Sequence, residues 1–373
     1  MIYIDFGNTG AKVSRLGLGA MRLPIRIDEH KQATGIEESA AIVRHALDKG
    51  INYIDTALYY VEHKSEIAVG MGIKGVPRES FYLSTKNPTH SACGSCFRLR
   101  LELSLAKLQT PYIDFYHFWG LTWERYQTYL ADDGPLAAAR KAKDEGIIKH
   151  ISFSSHDTPD NVIKLIDTGG FESMLVQYNL LDRSHASSLA HAHSKGMGTV
   201  VMGPVAGGRL GTKSEMILRA TGASSTAEAA LRFVWANPNV NIALSGMSTI
   251  EQIDENAATA SRAEPLSNEE IQRIDALAEE NKAMLDLPCT GCGYCRECPE
   301  NVAISMIFQY YQLHEVFGIT EAAKKSYAYL GTGWAKNMKP ASCCKECGQC
   351  EPKCPQKISI REKLKTAHEI LGG

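Results

Sequence analysis

Short apolar segments alternate with amphipathic ones between Met1 and Met284. The apolar segments are short and rich in β-branched and aromatic residues, which predicts buried strands. The segments between them carry apolar residues at helical spacing, which predicts amphipathic helices. Strands are predicted over residues 15–20, 52–55, 81–86, 112–119, 147–154, 174–178, 199–202 and 241–244. Helices are predicted over residues 37–49, 97–108, 135–145, 158–167, 186–195, 226–236, 304–315 and 321–330.

Repeated strand–helix units are typical of a (β/α)8 barrel of the TIM type. A doubly wound sheet is the alternative, but no G-x-G-x-x-G motif follows the first strand. Residues 1–13 alternate around a turn and predict an N-terminal β-hairpin. Ser267 and Glu270 predict a capped helix that ends near Met284, where Asp286-Leu287-Pro288 interrupts the chain. We therefore predict a barrel over residues 1–285 and a second domain over residues 286–373.

Composition restricts the classes of partner. The chain has 373 residues, of which 44% are hydrophobic, and its formal net charge is −2. This is enough for one large core and a smaller module, and it gives no reason to expect a nucleic acid or a membrane as partner. No apolar run approaches the ~20 residues of a membrane helix, and the N-terminus shows no signal-peptide pattern. We expect a soluble, cytoplasmic protein.

A carboxylate, a phenol and an ammonium group are predicted to meet at one end of the barrel. Asp55 ends one predicted strand, Lys86 ends the next, and Tyr60 lies between them. Barrels of this type carry their chemistry at the carboxyl ends of the strands. There Asp55 would keep Lys86 charged, and the ammonium would lower the pKa of Tyr60 for acid–base work. The alternative is a structural ion pair with a tyrosine nearby by chance.

Several segments together resemble the aldo-keto reductases. Residues 6–10 and 16–22 are similar to the opening of that family, and Asp55-Thr56-Ala57 with Tyr60 is similar to its first signature. The resemblance extends from Met1 to about Met284. It implies a barrel enzyme that moves hydride between a nicotinamide and a carbonyl, with Tyr60 as the proton donor and with Lys86 and Asp55 tuning it.

The catalytic histidine of that family is replaced here by Trp119, which lies five residues after Asp114. Trp119 can stack on a substrate or donate from its indole N–H, but it cannot relay a proton. This favours a substrate held by aromatic stacking, or reduction of a bond other than a simple aldehyde. His117 lies on the same inward face, about 7 Å deeper. We interpret it as a buried barrel histidine with a satisfied hydrogen bond.

The resemblance also implies a set of cofactor-binding residues. Ser154, Ser155 and Gln177 match positions around the nicotinamide carboxamide, and Tyr178 is placed to stack on the ring. The basic residues that hold the 2′-phosphate in many members are absent, so NADPH and NADH both remain open. An ordinary loop and helix start is the alternative for the adenine-side segment. The predicted cofactor residues are Ser154, Ser155, Gln177, Tyr178, Gly203, Gly246, Ser248, Gln252, Glu255 and Asn256.

Nine of the 11 cysteines fall between Cys289 and Cys354. Clustering of this kind in a cytosolic chain indicates metal rather than disulfides. The second run, residues 344–354, has the spacing of bacterial ferredoxins, in which the fourth cysteine of each run ligates the partner cluster. Two zinc sites are the alternative. The predicted [4Fe-4S] ligands are Cys289, Cys292, Cys295 and Cys354 for one cluster, and Cys344, Cys347, Cys350 and Cys298 for the other.

The tail resembles the ferredoxin-type extension of one branch of the aldo-keto reductases. The sequence therefore predicts an NAD(P)H-dependent oxidoreductase that reduces a carbonyl or a related unsaturated small molecule, with electron transfer through two clusters and a redox partner protein. Hydride carries two electrons and each cluster takes one, so a flavin or a radical-capable substrate would have to split the pair. The alternative, argued from Trp119, is an electron-transfer or nucleotide-sensing subunit whose barrel has lost reductase activity.

Three cysteine positions have no place in the predicted cluster domain. Cys343 is interpreted as a spare thiol. Cys93 and Cys96, with His90 upstream, are interpreted as exposed thiols at a helix start, with a redox pair or additional metal ligands as the alternatives.

Overall fold

The computed structural model of the chain describes residues 1–30, 32–88, 91–129, 133–262, 264–285, 287, 289 and 291–372. Contacts between Cα atoms define two compact units. The first contains Met1–Gly207 and Ala230–Pro265, and the second contains Gly208–Ala229 and Leu266–Gly373. The domains predicted over residues 1–285 and 286–373 were divided at the break in the sequence after the helix that ends near Met284, and they stay a prediction.

Strands in the described part of the chain account for every predicted strand. They are β1 (Tyr3–Asp5), β2 (Lys12–Ser14), β3 (Leu16–Gly19), β4 (Arg26–Ile27), β5 (Ala33–Thr34), β6 (Tyr53–Asp55), β7 (Tyr82–Pro88), β8 (Ile113–Trp119), β9 (Ile148–Ser154), β10 (Ser173–Gln177), β11 (Gly198–Met202) and β12 (Ile242–Ser245). Eight of these described strands close a barrel in the order β10-β11-β12-β3-β6-β7-β8-β9, and every pair within it is parallel. The predicted (β/α)8 barrel is confirmed.

The predicted helices are also present, with ends within a few residues of the expected ones. Those described in the structure are α1 (Ile36–Asp48), α2 (Ser65–Ile73), α3 (Gly94–Leu108), α4 (Trp123–Gln127), α5 (Pro135–Asp144), α6 (Pro159–Asp167), α7 (Ala186–Ser194), α8 (Glu215–Thr221), α9 (Thr226–Trp235), α10 (Ile250–Arg262), α11 (Asn268–Met284), α12 (Ile304–Glu315), α13 (Thr320–Ala328) and α14 (Ile360–Leu371). Helix α2 was not predicted, because it is buried on nearly every side and has no polar face to give a helical period.

The N-terminal hairpin closes the end of the barrel at which its strands begin. Strands β1 and β2 pair in antiparallel fashion, as predicted. Between them, Phe6 packs against Tyr53 and Phe115, with ring centroids 5.8 and 4.9 Å apart. Leu175 and Ile242 belong to the same buried cluster. Apolar side chains thus fill the end of the barrel at which the strands begin. The polar side chains lie at the opposite end, where the strands finish.

The second unit is helical where it is described, apart from connecting segments and short 3₁₀ turns. Helix α11 opens with the predicted capping box: Glu270 N–H donates to Ser267 Oγ, and Ser267 N–H donates to the Glu270 carboxylate. Helix α12 has the predicted bounds, Ile304–Glu315. Among the helices described here, none is long and apolar enough to cross a membrane.

Candidate functional site

Lys86 and Asp55 form a buried ion pair at the carboxyl ends of β7 and β6. Lys86 Nζ donates to Asp55 Oδ2 at 2.5 Å and to the Thr56 carbonyl at 2.7 Å. Ser84, the register partner of Asp55, donates its hydroxyl to Asp55 Oδ1 at 2.7 Å. The side chains of Lys86 and Asp55 are 1% and 2% exposed. Charges this deep are tolerated only when paired and hydrogen-bonded, and both conditions hold here.

The ion pair keeps Lys86 charged. Burial alone would lower the pKa of Lys86, but its attraction to Asp55 and Tyr60 outweighs burial and raises that pKa. Burial raises the pKa of Asp55, and the hydrogen bonds from Lys86 and Ser84 oppose this effect. The direction of this shift agrees with a charged ammonium at neutral pH, and the catalytic roles of the three residues stay a prediction.

Tyr60 lies against Lys86, whose Nζ is 4.7 Å from the centre of the tyrosine ring. The expected fall in the pKa of Tyr60 is wrong. Burial raises the pKa of Tyr60 more than Lys86 lowers it, because the phenolate loses solvation as the ring enters the site. Tyr60 therefore carries its proton at neutral pH, as a proton donor must.

Aromatic side chains line the site beside Tyr60. Trp119 meets the Tyr60 ring edge-on at a centroid distance of 5.4 Å, and Tyr59 lies 6.0 Å from Trp119. His63 packs on Tyr59 at 4.7 Å. The turn at residues 61–63, directly after Tyr60, has φ values between +46° and +69°. Left-handed backbone at consecutive non-glycine residues is strained, and such strain is concentrated at functional sites.

His117 faces the barrel interior and is fully buried. It is the register partner of Lys86, and its side chain lies on the same strand face as those of Phe115 and Trp119. The predicted satisfied hydrogen bond is not found, because neither ring nitrogen makes a hydrogen bond of good geometry to a described residue and the Phe153 backbone offers only a weak contact. Burial and the charge of Lys86 lower the pKa of His117 to about 3, and the nearby backbone of Phe153 opposes this only in part. The imidazole is therefore neutral.

Of the predicted nicotinamide-side serines, Ser154 ends β9 and Ser155 follows it, and both hydroxyls are engaged. Ser154 Oγ accepts from Gly120 N–H at 3.1 Å. Ser155 Oγ donates to the Leu121 carbonyl at 2.7 Å, and the residue is fully buried. Gln177 ends β10, and its Nε2 donates to Asp182 Oδ2 at 2.7 Å. Ser155 thus joins two loops of the site and is poorly placed to bind a ligand.

Tyr178 directly follows β10, and Gly203 directly follows β11. The Tyr178 ring stacks on Phe233 at 5.7 Å and is 6% exposed. One face of Tyr178 is therefore covered, and the predicted stacking on a nicotinamide would need the opposite face. The Gly203 carbonyl accepts from Asn179 Nδ2 at 2.9 Å, and the backbone turns there with a φ of +64°.

The adenine-side segment forms a short loop that leads from β12 into α10. Gln252 Oε1 accepts from the Ser248 N–H at 2.8 Å and lies 3.2 Å from Ser248 Oγ. Asn256 Nδ2 donates to Ser245 Oγ at 3.3 Å, and Glu255 is exposed on the same helix. These contacts hold Gly246 and its neighbours at the carboxyl end of β12. The residues that end or follow β9, β10 and β11 lie at the same end of the barrel.

Arg22 lies beside the predicted cofactor residue Gly246, a contact that the sequence did not predict. A Cβ atom added to Gly246 would lie 3.1 Å from Arg22 Cδ, and one added to Gly207 would lie 3.4 Å from Arg22 Nη2. Arg22 follows β3, which pairs with β12 and so delivers the guanidinium to the Gly246 loop. The planar guanidinium of an arginine suits a phosphate, because its N–H groups match two phosphate oxygens. The available signal was Arg22 itself, the last residue of the segment at residues 16–22.

The cysteines of the second unit fall into two quartets, each around its own cavity. Cys289, Cys292, Cys295 and Cys354 line one small cavity. Cys298, Cys344, Cys347 and Cys350 line another. Burial raises the pKa of the Cys350 thiol to about 11, and the neighbouring Cys344 and Cys298 add to that rise. Within the described ranges, no group of three or more His, Cys, Asp or Glu side chains is arranged to hold a single metal ion.

Cys93 and Cys96 are joined by a disulfide at the start of α3, so their interpretation as free thiols is wrong. His90 lies outside the described residues. Cys343 is not among the residues that line the two cysteine cavities, and its interpretation as a spare thiol stays a prediction.

Comparisons with known proteins agree with this geometry. The model of the Aldo/keto reductase family matches residues 15–279. L-galactose dehydrogenase of Arabidopsis thaliana is 28% identical over 316 residues, which cover 74% of this chain and 94% of that protein. The uncharacterized oxidoreductase YqkF of Bacillus subtilis (strain 168) is 28% identical over 311 residues, covering 74% of this chain and 96% of the relative.

Two solved structures share the fold. The holo form of aldo-keto reductase AKR11C1 from Bacillus halodurans has a TM-score of 0.62 at 28% identity, covering 74% of this chain and 96% of that one. The thermostable aldo-keto reductase Tm1743, in complex with the inhibitor epalrestat, has a TM-score of 0.62 at 25% identity, covering 74% of this chain and 99% of that one. The barrel, the Asp55–Lys86–Tyr60 arrangement and the family match together identify the chain as an NAD(P)H-dependent oxidoreductase that belongs to the aldo/keto reductase family.

Proposed function

We propose that the protein is an iron–sulfur aldo-keto reductase. Its barrel would reduce a carbonyl or a related unsaturated bond of a small molecule, and its C-terminal unit would hold two [4Fe-4S] clusters. The observation that carries the proposal is the division of eight cysteines into two quartets around separate cavities. The cytoplasmic setting predicted from the sequence belongs to the same proposal, since free thiols persist in reducing compartments.

The membership of each quartet supports iron–sulfur clusters. Cys354 lines the cavity of the first cysteine run, and Cys298 lines the cavity of the second. This exchange of the fourth cysteine is the ligand pattern of two-cluster ferredoxins. The exchange of the fourth cysteine also holds for the first run, although one residue fewer precedes Cys298 than in the ferredoxin pattern.

The arrangement of the cysteines favours a four-iron cluster over zinc. A zinc ion draws four sulfurs to about 2.3 Å from one point. Each quartet instead lines one cavity, and the described cysteines form no group with the geometry of a single-ion site. A bound cluster would exchange one electron at a time, in either direction, with the substrate site or with a redox partner protein.

In the barrel, the residues of this chain would supply binding and proton transfer. A bound NAD(P)H would supply hydride to the substrate. Tyr60 would give its phenolic proton to the substrate oxygen as negative charge develops there. Lys86 would stabilise the phenolate that remains, and Asp55 would hold the ammonium in place through the 2.5 Å contact.

Trp119 supports a planar, conjugated substrate. Its ring packs against those of Tyr60 and Tyr59, so that the three rings form one aromatic cluster. Aromatic side chains bind flat π-systems by stacking and edge contacts. The alternative of a carrier subunit without turnover is not proposed, because the Asp55–Lys86–Tyr60 arrangement is intact and the chain belongs to a family of reductases.

Anaerobic reconstitution with iron and sulfide tests the clusters. We expect about eight iron atoms per chain, brown absorbance and cluster EPR signals after reduction. Cys292→Ala and Cys347→Ala should each remove about half of the iron, since each alters one quartet. Cys343→Ser is the matched control and should retain all of it. A colourless protein that binds two zinc ions per chain would contradict the proposal.

A further inference from the structure

The Cys93–Cys96 disulfide plays no part in the function proposed above. Its two Cα atoms are 5.3 Å apart, within the range that a disulfide requires. The two cysteines lie at either end of the first turn of α3, and both are partly exposed to solvent. A disulfide within reach of solvent is accessible to small thiols, and cysteine pairs of this spacing form a recognised redox motif.

The surroundings of Cys93 favour a thiolate once the disulfide is reduced. Cys93 is the N-cap residue of α3, and its Sγ accepts from the Cys96 N–H at 3.1 Å. Ser95 Oγ lies 3.2 Å from the same sulfur. The dipole at the start of this 15-residue helix also favours negative charge there. Together these groups make Cys93 the nucleophilic member of the pair.

The loop between the cysteines is held in place independently of the disulfide. Gly94 N–H donates to the Asp133 carbonyl at 3.2 Å, and a Cβ at Gly94 would lie 2.3 Å from that oxygen. Asn87 Nδ2 donates to the Phe97 carbonyl at 2.9 Å, which ties the first turn of α3 to β7. Because both contacts involve groups other than the sulfurs, they can persist when the disulfide opens. The thiols of the reduced form would thus remain close enough to pair again.

We infer that Cys93 and Cys96 form a redox-active dithiol that exchanges with low-molecular-weight disulfides such as oxidised glutathione. The Cys93 thiolate attacks one sulfur of the small disulfide, forming a mixed disulfide and releasing the first thiolate, which takes up a proton. Cys96 then loses its proton to solvent and attacks Cys93 Sγ, releasing the second thiolate, which is protonated in turn. Two electrons and two protons pass in total from the dithiol to the small disulfide.

The first experiment measures the redox state of the pair in the full-length protein under anaerobic glutathione buffers. Thiols are alkylated, and the peptide containing residues 93–96 is quantified by mass spectrometry. We expect a reversible transition in which the ratio of dithiol to disulfide follows [GSH]²/[GSSG] with a slope of one. Cys343 serves as the internal control and should form no intramolecular pair. A pair that stays reduced in oxidised glutathione, or oxidised in dithiothreitol, would overturn the inference.

A second measurement identifies the nucleophile. In Cys96→Ser, the rate of Cys93 alkylation should rise with pH around a midpoint clearly below that of a free cysteine, about 8.5. In Cys93→Ser, the remaining Cys96 should react at least several-fold more slowly at pH 7. Equal rates in the two variants would contradict the assigned roles. The double serine variant should retain its iron, and loss of iron would identify the pair as cluster ligands instead.

Discussion

Lys86 and His117 are register partners on β7 and β8, and both are buried, yet only Lys86 is hydrogen-bonded among the described residues. The ammonium is held by Asp55 and the Thr56 carbonyl, whereas the imidazole beside it makes no hydrogen bond of good geometry to a described residue. Trp119 occupies the place of the family's catalytic histidine. His117 makes no described contact through which it could take over that role. Burial of the His117 ring without good hydrogen bonds should instead lower the free energy of unfolding.

Replacing His117 with leucine should stabilise the fold. A buried polar group without a hydrogen bond costs about 1–3 kcal/mol, and leucine has a similar volume without that cost. We expect the free energy of unfolding of His117→Leu to rise by an amount in this range, with His117→Gln as the polar control. A drop in stability, measured by chemical denaturation, would show instead that an unseen partner such as a buried water satisfies the ring.

The same residue predicts a pH dependence. Its pKa is lowered from 6.5 to about 3, so the folded state binds fewer protons than the unfolded state between these values. The stability linked to His117 is therefore complete above pH 6.5 and is lost as the pH falls towards 3, by up to about 1.4 kcal/mol per pH unit. His117→Leu should lack this component. Unfolding curves of both proteins at pH 7, 6 and 5 should diverge accordingly, and parallel curves would contradict the shift.

Tyr60→Phe and Lys86→Met should separate catalysis from stability. Tyr60→Phe removes one hydroxyl, so we expect turnover to fall at least 100-fold while the fold and nucleotide affinity are preserved. Lys86→Met leaves Asp55 buried without its partner, which should also cost about 3–5 kcal/mol of stability. Steady-state kinetics, nucleotide fluorescence and thermal unfolding measure the three effects. Full turnover by Tyr60→Phe would exclude this tyrosine as the proton donor.

Arg22→Ala should weaken nucleotide binding. Loss of a charge-assisted hydrogen bond costs about 1.5–3 kcal/mol, which corresponds to an increase in Kd of roughly 10–150-fold. An effect on NADPH alone would assign Arg22 to the 2′-phosphate, and an equal effect on NADH would assign it to the pyrophosphate. Arg26→Ala, an exposed arginine nearby in the chain, is the control. Calorimetric Kd values that match those of the unmodified protein would remove Arg22 from the site.

Much of this protein could be predicted from local patterns. The eight barrel strands were found because each is a short apolar run, and Asp55 and Lys86 were paired because parallel strands end at one edge. The cysteine quartets followed from spacing within two short runs, with the fourth cysteine of each exchanged. These features depend on residues that are close in sequence or on a rule that holds for every barrel.

Tertiary structure decided what depends on burial and on distant neighbours. Arg22 reaches Gly246 only because β3 and β12, far apart in the chain, are adjacent in the closed barrel. The pKa of Tyr60 rises rather than falls because desolvation in the folded site outweighs the attraction of Lys86. The unpaired ring of His117 likewise depends on which groups surround it after folding. A sequence pattern shows the periodicity of apolar residues within a segment. The burial of each side chain and its contacts with residues far away in the sequence are set only when the chain folds.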